Sequence, residues 1–372
     1  MRTNRKIRVL IVDDSAIVRK ILTEALAGEP DLEVVGAAPD PFVARDKILS
    51  LDPDVITLDI EMPRMDGLTF LKKLMHFHPL PAIVISSLAQ PSCRVALEAL
   101  SLGAVEVMAK PGGPYSVGEL RRALAAKIRA AAAARLRLLP QPILAASVAP
   151  IAALPAEAAG LPPDWVIAIG ASTGGTEAIA QVLARLPAAT PGVAIVQHIP
   201  AEFSRAFAAR LNQICPMEVR EARDGDALGP GLALVAPGDF HMVLCRRHGR
   251  FFVSIRGGPA VCYQRPSVDV LFVSAAETAG ARAVGVLLTG MGSDGASGLL
   301  RMRQAGARTI AQDEASSVVY GMPRQAAELG AAERVLPLSA ISAAILAAPI
   351  AASLPTSSPR ATTVDSQCSA SA

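Results

Sequence analysis

Between residues 7 and 130, short β-branched runs alternate with amphipathic stretches five times. IRVLIV, LEVVGAA, DVITLDI, PAIVISS and AVEVMAK are near-continuous apolar segments of strand length, the pattern of strands buried on both faces. Between them, AIVRKILTEAL and GLTFLKKLMHF carry apolar residues at helical spacing. Ser116 with Glu119 three residues on is a capping box opening the last helix. This alternation predicts a five-stranded parallel sheet covered on both faces, a domain over residues 1–130. Residues 131–163 shift to Ala and Pro, which predicts a linker that is partly helical and then extended. A second α/β pattern runs from Trp165 to about Leu346 and predicts a doubly wound, mostly parallel domain over 164–350. Inside it HMVLCRRHGRFFVSIRG reads as a β-hairpin turning at Arg247 to Arg250. The Ser/Thr/Ala-rich tail, 351–372, is expected to be disordered.

Composition narrows the class. A chain of 372 residues has room for two domains with a core each. Hydrophobic residues make up 51% and aromatics only 3%, so the cores must be aliphatic. A net charge of +3 without a basic stripe, and no helix-turn-helix pattern, argue against nucleic acid as a partner. Cys93, Cys215, Cys245, Cys262 and Cys368 are odd in number and scattered, with no C-x-x-C pair, which points to a reducing, cytoplasmic setting. The opening MRTNRKIRVLIVDDS has basic residues before an apolar run, but the run is short and ends in two aspartates, so export is not expected. No apolar segment is long enough for direct membrane insertion.

Charged residues gather at the strand ends of the first domain. Asp13 and Asp14 follow the first strand, Asp59 ends the third, Ser86 the fourth and Lys110 the fifth. One such aspartate is ordinarily a solvated charge, but three carboxylates at one sheet edge repel unless a cation lies among them. Oxygen ligands that leave room for water suit Mg²⁺. Lys110 and Ser86 would then hold the oxygens of a phosphoryl group on the third carboxylate.

Across nearly all of residues 7–130, VDDS, TLDIEMPRMDGL, ISS and AKP resemble the response-regulator receiver domain. The resemblance implies a flavodoxin-like fold, Asp59 as phospho-acceptor, and Mg²⁺ held by Asp13, Asp14 and Asp59. It further implies that Lys110 contacts the phosphoryl group, that Lys110–Pro111 is a cis peptide, and that Ser86 is the hydroxyl that follows phosphorylation. The family's usual switch aromatic, three residues before the lysine, is Val107 here. That departure removes the aromatic flip as a route of signalling and leaves phosphorylation intact.

In the second domain three apolar runs each lead into a residue suited to acyl transfer. VIAIGASTGG carries Ser172, VAIVQHIP carries His198 and VGVLLTGMGSDG carries Asp294. Side chains just past the carboxyl ends of parallel strands line the crevice of an open α/β sheet. G-A-S-T-G also fits the nucleophile-elbow pattern, although Gly/Ser turns before helices are common. The order Ser, His, Asp differs from that of α/β-hydrolases, but a triad is defined by geometry. His241 is a rival base in a similar context, whereas His76, His78 and His248 read as solvated. A competing reading takes Gly290 to Gly295 as G-x-G-x-x-G with Asp313 as its distal acid, a dinucleotide fingerprint. It comes late in its domain and leaves GASTGG and QHIP without a role. A regulator whose output is binding alone is the other alternative.

GASTGG, QHIP, FAARLN, APGDFHM, RPSVDVLF, LLTGMGSDGASGL and QDEASSVVYGMPR together resemble the catalytic domain of chemotaxis protein-glutamate methylesterases, the CheB family, in order over most of 165–335. The resemblance implies Ser172 as nucleophile, His198 as base and Asp294 as orienting acid. It places the Met291 N–H beside the oxyanion hole, with Thr173 and Tyr320 bordering the pocket. The implied reaction is hydrolysis of glutamate γ-methyl esters and deamidation of certain glutamines on chemoreceptor (methyl-accepting protein) cytoplasmic domains. A chemotaxis histidine kinase is the implied phosphodonor, and no cofactor is implied for the hydrolysis itself. A receiver tethered by a short linker to an exposed site further suggests that the unphosphorylated receiver packs over the triad.

Overall fold

The computed structural model describes residues 5–111, 117–135 and 161–347. The capping box at Ser116, most of the linker and the tail lie outside the described residues.

The first domain contains β1 (Ile7–Val12), α1 (Ala16–Leu26), β2 (Leu32–Ala38), α2 (Pro41–Leu51), β3 (Val55–Asp59), α3 (Gly67–Phe77), β4 (Ala82–Ser86), α4 (Gln90–Ser101), β5 (Glu106–Ala109) and α5 (Val117–Ala133). Its sheet has the order β2-β1-β3-β4-β5, with every pairing parallel. This is the flavodoxin-like order, whose switch point between β1 and β3 opens the ligand crevice. Asp13 and Asp59 sit at that point because their strands end there. α5 runs to Ala133, so the first part of the Ala-rich stretch is helical as expected.

The second domain contains β6 (Val166–Ala171), α6 (Gly175–Leu183), β7 (Gly192–Gln197), α7 (Ala201–Ile214), β8 (Glu218–Glu221), β9 (Ala227–Leu228), β10 (Leu232–Val235), β11 (His241–Arg247), β12 (Arg250–Arg256), α8 (Val268–Thr278), β13 (Ala283–Leu287), α9 (Ala296–Gln304), β14 (Arg308–Gln312), α10 (Met322–Glu328), β15 (Arg334–Leu336) and α11 (Leu338–Leu346). Seven strands form a parallel sheet in the order β15-β14-β13-β6-β7-β10-β8. The expected hairpin is β11–β12, with β9 joining it as a third antiparallel strand. β6 lies between β7 on one side and β13 on the other, so the chain reverses its direction of winding there. The crevice of the second sheet therefore opens at the carboxyl ends of β6, β7 and β13.

The two domains pack on each other. Cys93, Ala96, Leu97 and Leu100 of α4 belong to the same continuous buried cluster as Phe203, Phe207 and Leu211 of α7. Polar contacts frame this apolar seam. Thr173 Oγ1 donates to Glu106 Oε2 at 2.9 Å, Arg135 pairs with Glu314 at 2.6 Å, and the Arg135 N–H donates to the Val318 carbonyl at 3.0 Å. The receiver face made by α4, β5 and the end of α5 thus lies against the crevice of the second sheet.

Candidate active site

Strand register brings the first two residues of the expected triad to adjacent strand ends. Ala171 of β6 is paired with Gln197 of β7, so Ser172 and His198 are each the next residue past adjacent strand ends. After Ser172 the chain must turn at once into α6. Gly174 makes that turn in the left-handed region (φ 76°), where a side chain would be strained. On the other side of β6, β13 ends and its loop returns beneath the turn. A Cβ on Gly290 would stand 2.7 Å from Ser172 Cβ, so only glycine admits this approach.

Asp294 Oδ2 lies 2.8 Å from His198 Nε2. Asp294 is 2% exposed, and its oxygens also accept from Ser267 Oγ at 2.7 Å, the Val268 N–H at 2.7 Å and the Asp269 N–H at 3.0 Å. It therefore caps the N-terminus of α8 while facing the imidazole. Burial pushes its pKa up, but the His198 hydrogen bond and charge, with Ser267 and the Asp269 N–H, outweigh this and hold it below the usual carboxylate range. An ionised carboxylate only accepts, so His198 Nε2 carries the proton and the lone pair of the neutral ring is on Nδ1. Nδ1 is buried and has no hydrogen-bond partner among the described residues. No hydrogen bond joins it to Ser172 Oγ in this structure. The backbone N–H groups of Thr173 and Met291 donate to no protein acceptor among the described residues, and Met291 is part-exposed at the mouth of the crevice. Tyr320 pairs with Gly290 and, with Gly292, Ser293 and Arg324, lines an open cleft there.

In the receiver, Asp13, Asp14 and Asp59 present carboxylate oxygens that all lie within 4.8 Å of one another. Lys110 Nζ donates to Asp59 Oδ2 at 2.7 Å, and the Glu61 N–H to Asp59 Oδ1 at 3.0 Å. Burial pushes Asp13 up to about 6, helped by the charge on Asp59. Burial likewise raises Asp59, against the Lys110 and Glu61 hydrogen bonds. Burial works against charge on Lys110 too, but Asp59, Asp13 and Glu61 keep it an ammonium. Asp13 Oδ2 is buried without a hydrogen-bond partner among the described residues. Ser86 is fully buried, its hydroxyl at weak distances of 3.3 and 3.4 Å from the Ser87 and Ser92 carbonyls.

Family models match both halves: "Response regulator receiver domain" over residues 9–124 and "CheB methylesterase" over residues 167–345. A Syntrophus aciditrophicus protein named "Protein-glutamate methylesterase/protein-glutamine glutaminase 2" is 57% identical over 90% of this chain and 97% of its own length. The chain belongs to the CheB methylesterase family. An Anaeromyxobacter dehalogenans member, "Protein-glutamate methylesterase/protein-glutamine glutaminase 4", is 54% identical over 93% of this chain and 96% of its own. The Thermotoga maritima CheB catalytic domain crystal structure is 35% identical over 49% of this chain and 96% of its own, with a TM-score of 0.48.

Within a CheB chain the rival readings find structural explanations. His241 is buried, with Nε2 bonded to the Pro259 carbonyl at 3.0 Å and Nδ1 accepting the Ser267 N–H at 3.2 Å, so neither nitrogen is free to act as a base. His76, His78 and His248 are exposed, as expected. In the G-x-G-x-x-G string, Gly290 makes room for the turn at Ser172 and Asp294 faces His198. Asp313 accepts from the Ser316 N–H and Oγ and so closes its own turn. One expectation is corrected: Lys110–Pro111 is trans, and the cis peptide among the described residues is Arg265–Pro266. Lys110 reaches Asp59 from the trans form, so that contact does not require the cis isomer.

Sequence reasoning missed four residues that shape the site. Ser267 steadies Asp294, and Gln197 Nε2 donates to the Ser172 carbonyl at 2.8 Å. Thr289 accepts the Ser172 N–H through its carbonyl, and Glu106 reaches Thr173 from the receiver. Ser267, Gln197 and Thr289 lie inside recognised motifs, RPSVDVLF, QHIP and LLTGMGSDGASGL, which was the available signal. Glu106 carried none.

Proposed function

We propose that this protein is a phosphorylation-activated serine esterase that removes γ-methyl groups from chemoreceptor glutamates, releasing methanol, and deamidates specific receptor glutamines. The observation that carries the reading is the His198–Asp294 pair at the end of β7, beside Ser172 at the end of β6. His198 Nδ1 takes the Ser172 proton as Oγ attacks the γ-carbonyl. The tetrahedral oxyanion falls to the Thr173 and Met291 N–H groups, which have no other protein acceptor among the described residues. Asp294 stabilises the imidazolium. Collapse breaks the bond to methoxide or amide, His198 returns its proton to the leaving group, and methanol or ammonia departs. Water, deprotonated by His198, then attacks the acyl-enzyme, and collapse frees glutamate and restores Ser172. Thr173 and Tyr320 border the substrate, and the open cleft beside them suits a side chain presented from a receptor helix.

The receiver is the control element, fed by a chemotaxis histidine kinase in the cytoplasm. Asp59 accepts the phosphoryl group, Lys110 holds one of its oxygens, and Ser86 follows it. Asp13, Asp14 and Asp59 would hold Mg²⁺; the orphaned Asp13 Oδ2, and the burial and neighbouring negative charge that raise Asp13 and Asp59, fit a hard divalent cation. When bound, that ion would neutralise charge on the transferring phosphoryl. Phosphorylation adds about −1.5 to −2 of charge at the end of β3, where Lys110 reaches across from the end of β5. This charge loosens the receiver face from the crevice, a reading supported by the Glu106–Thr173 contact that joins the two. The test is methanol release and glutamine deamidation on methylated receptor membranes, with Mg²⁺ and a small acyl phosphate as donor. Release that rises with the donor supports the reading. Donor-independent release at full rate removes the regulatory part, and no release removes the esterase.

A further inference from the structure

Thr289 lies at the end of the β13 run, where its loop passes beneath the nucleophile turn, and is 1% exposed. Each of its polar atoms is engaged. Its N–H donates to Gln312 Oε1 at 2.8 Å, and its carbonyl accepts the Ser172 N–H at 3.0 Å. Its hydroxyl lies 3.0 Å from the Thr173 carbonyl and 3.2 Å from the Val319 carbonyl, and accepts the Val319 N–H at 3.0 Å. One hydroxyl has one proton, so it serves one carbonyl at a time, and the Thr173 carbonyl is the nearer.

The peptide between Ser172 and Thr173 carries the Thr173 N–H, one of the two groups assigned above to the oxyanion. The Ser172 carbonyl on that peptide is held by Gln197 Nε2 at 2.8 Å and the Gly175 N–H at 2.6 Å. Thr289 holds the peptides on either side of it, one through its carbonyl and one through its hydroxyl. Gly290, the next residue, packs against Ser172 with no room for a side chain. A shift at Thr289 therefore reaches Ser172 Oγ and the Thr173 N–H without slack between them.

We infer that the Thr289 hydroxyl is a positioning residue for the hydrolysis, fixing the nucleophile and one oxyanion donor relative to each other through the Thr173 carbonyl. The inference rests on the esterase reading above. It is tested in the full chain with Mg²⁺ and an acyl phosphate by comparing wild type with Thr289→Val, Thr289→Ala and Thr289→Ser. The readouts are kcat and KM for methanol release from receptor membranes, and the rate at which a fluorophosphonate probe labels Ser172. Displacements of about 1 Å cost about a hundredfold in rate. The expected result is a fall in kcat of about ten- to a hundredfold for Val and Ala, with KM within about twofold. Serine should remain within about threefold of wild type, and probe labelling should follow kcat. Ala and Ser both lack the methyl group, so their comparison isolates the hydroxyl even where Val fails to fold. Equal kcat and equal labelling in Ala and Ser would overturn the inference. Absence of methanol release by wild type would instead overturn the esterase reading, and the labelling rates of Ala and Ser would still decide the role of Thr289.

Discussion

Thr173, the residue after Ser172, donates its hydroxyl at 2.9 Å to the carboxylate of Glu106, which belongs to the receiver. Glu106 is 6% exposed, and its other oxygen faces Lys127 Nζ at 3.2 Å. A strand of the switch domain and the turn of the catalytic domain therefore share one buried polar contact, flanked by the α4–α7 apolar seam. Loosening this face would uncover the crevice and free the Thr173 side chain together.

Glu106→Ala should raise basal activity. A buried hydrogen bond to a charged group contributes about 1.5–3 kcal/mol, which shifts the docked–undocked balance by about tenfold or more toward the open form. Methanol release without any phosphodonor should rise accordingly, while release with saturating donor should change little. Unchanged basal release would show that this contact does not hold the receiver in place.

Asp294→Asn should lower turnover by about 10⁴, the effect of presenting the wrong partner to the imidazole. It should also lower stability, because an amide has one acceptor oxygen where Ser267, Val268, Asp269 and His198 now use two. The folded pKa of Asp294 lies below its ordinary 3.8. Its stabilisation is thus present above that value and is lost as pH falls through the folded one. Denaturant unfolding should show a wild-type advantage of about 2 kcal/mol near neutrality that shrinks on acidification below 3.8. An advantage independent of pH would contradict the assignment.

Asp13→Asn should separate stability from metal response. The fold raises Asp13 to about 6, so it favours the protonated form. That contribution is full below 3.8 and is lost as pH rises through about 6. Above that pH and without metal, the variant should melt higher than wild type. Added Mg²⁺ should raise the melting temperature of wild type and leave the variant nearly unmoved. A variant that melts lower, or responds fully to Mg²⁺, would argue against a metal site built on this carboxylate.

Much of the fold was legible because parallel strands covered on both faces leave an unmistakable run of apolar residues. IRVLIV and LEVVGAA coincide with β1 and β2, and AIVRKILTEAL and GLTFLKKLMHF with α1 and α3. The site residues were legible for a related reason: they sit where such runs stop. What stayed hidden depends on contacts between distant parts of the chain. Glu106 interrupts an apolar strand, and its Thr173 partner is 67 residues away. β9 is two residues long and pairs with the hairpin only after the chain has folded. His241 shares a strand-end context with His198, and only its bonds to Pro259 and Ser267 exclude it as the base.

The most direct test of the account compares methanol release from methylated receptor membranes by wild type and Ser172→Ala, each with Mg²⁺ and an acyl phosphate. Wild type should release methanol and the variant only near background, with Asp59 phosphorylation equal in both. Ser172→Ala releasing methanol at the wild-type rate would contradict the assignment of the nucleophile.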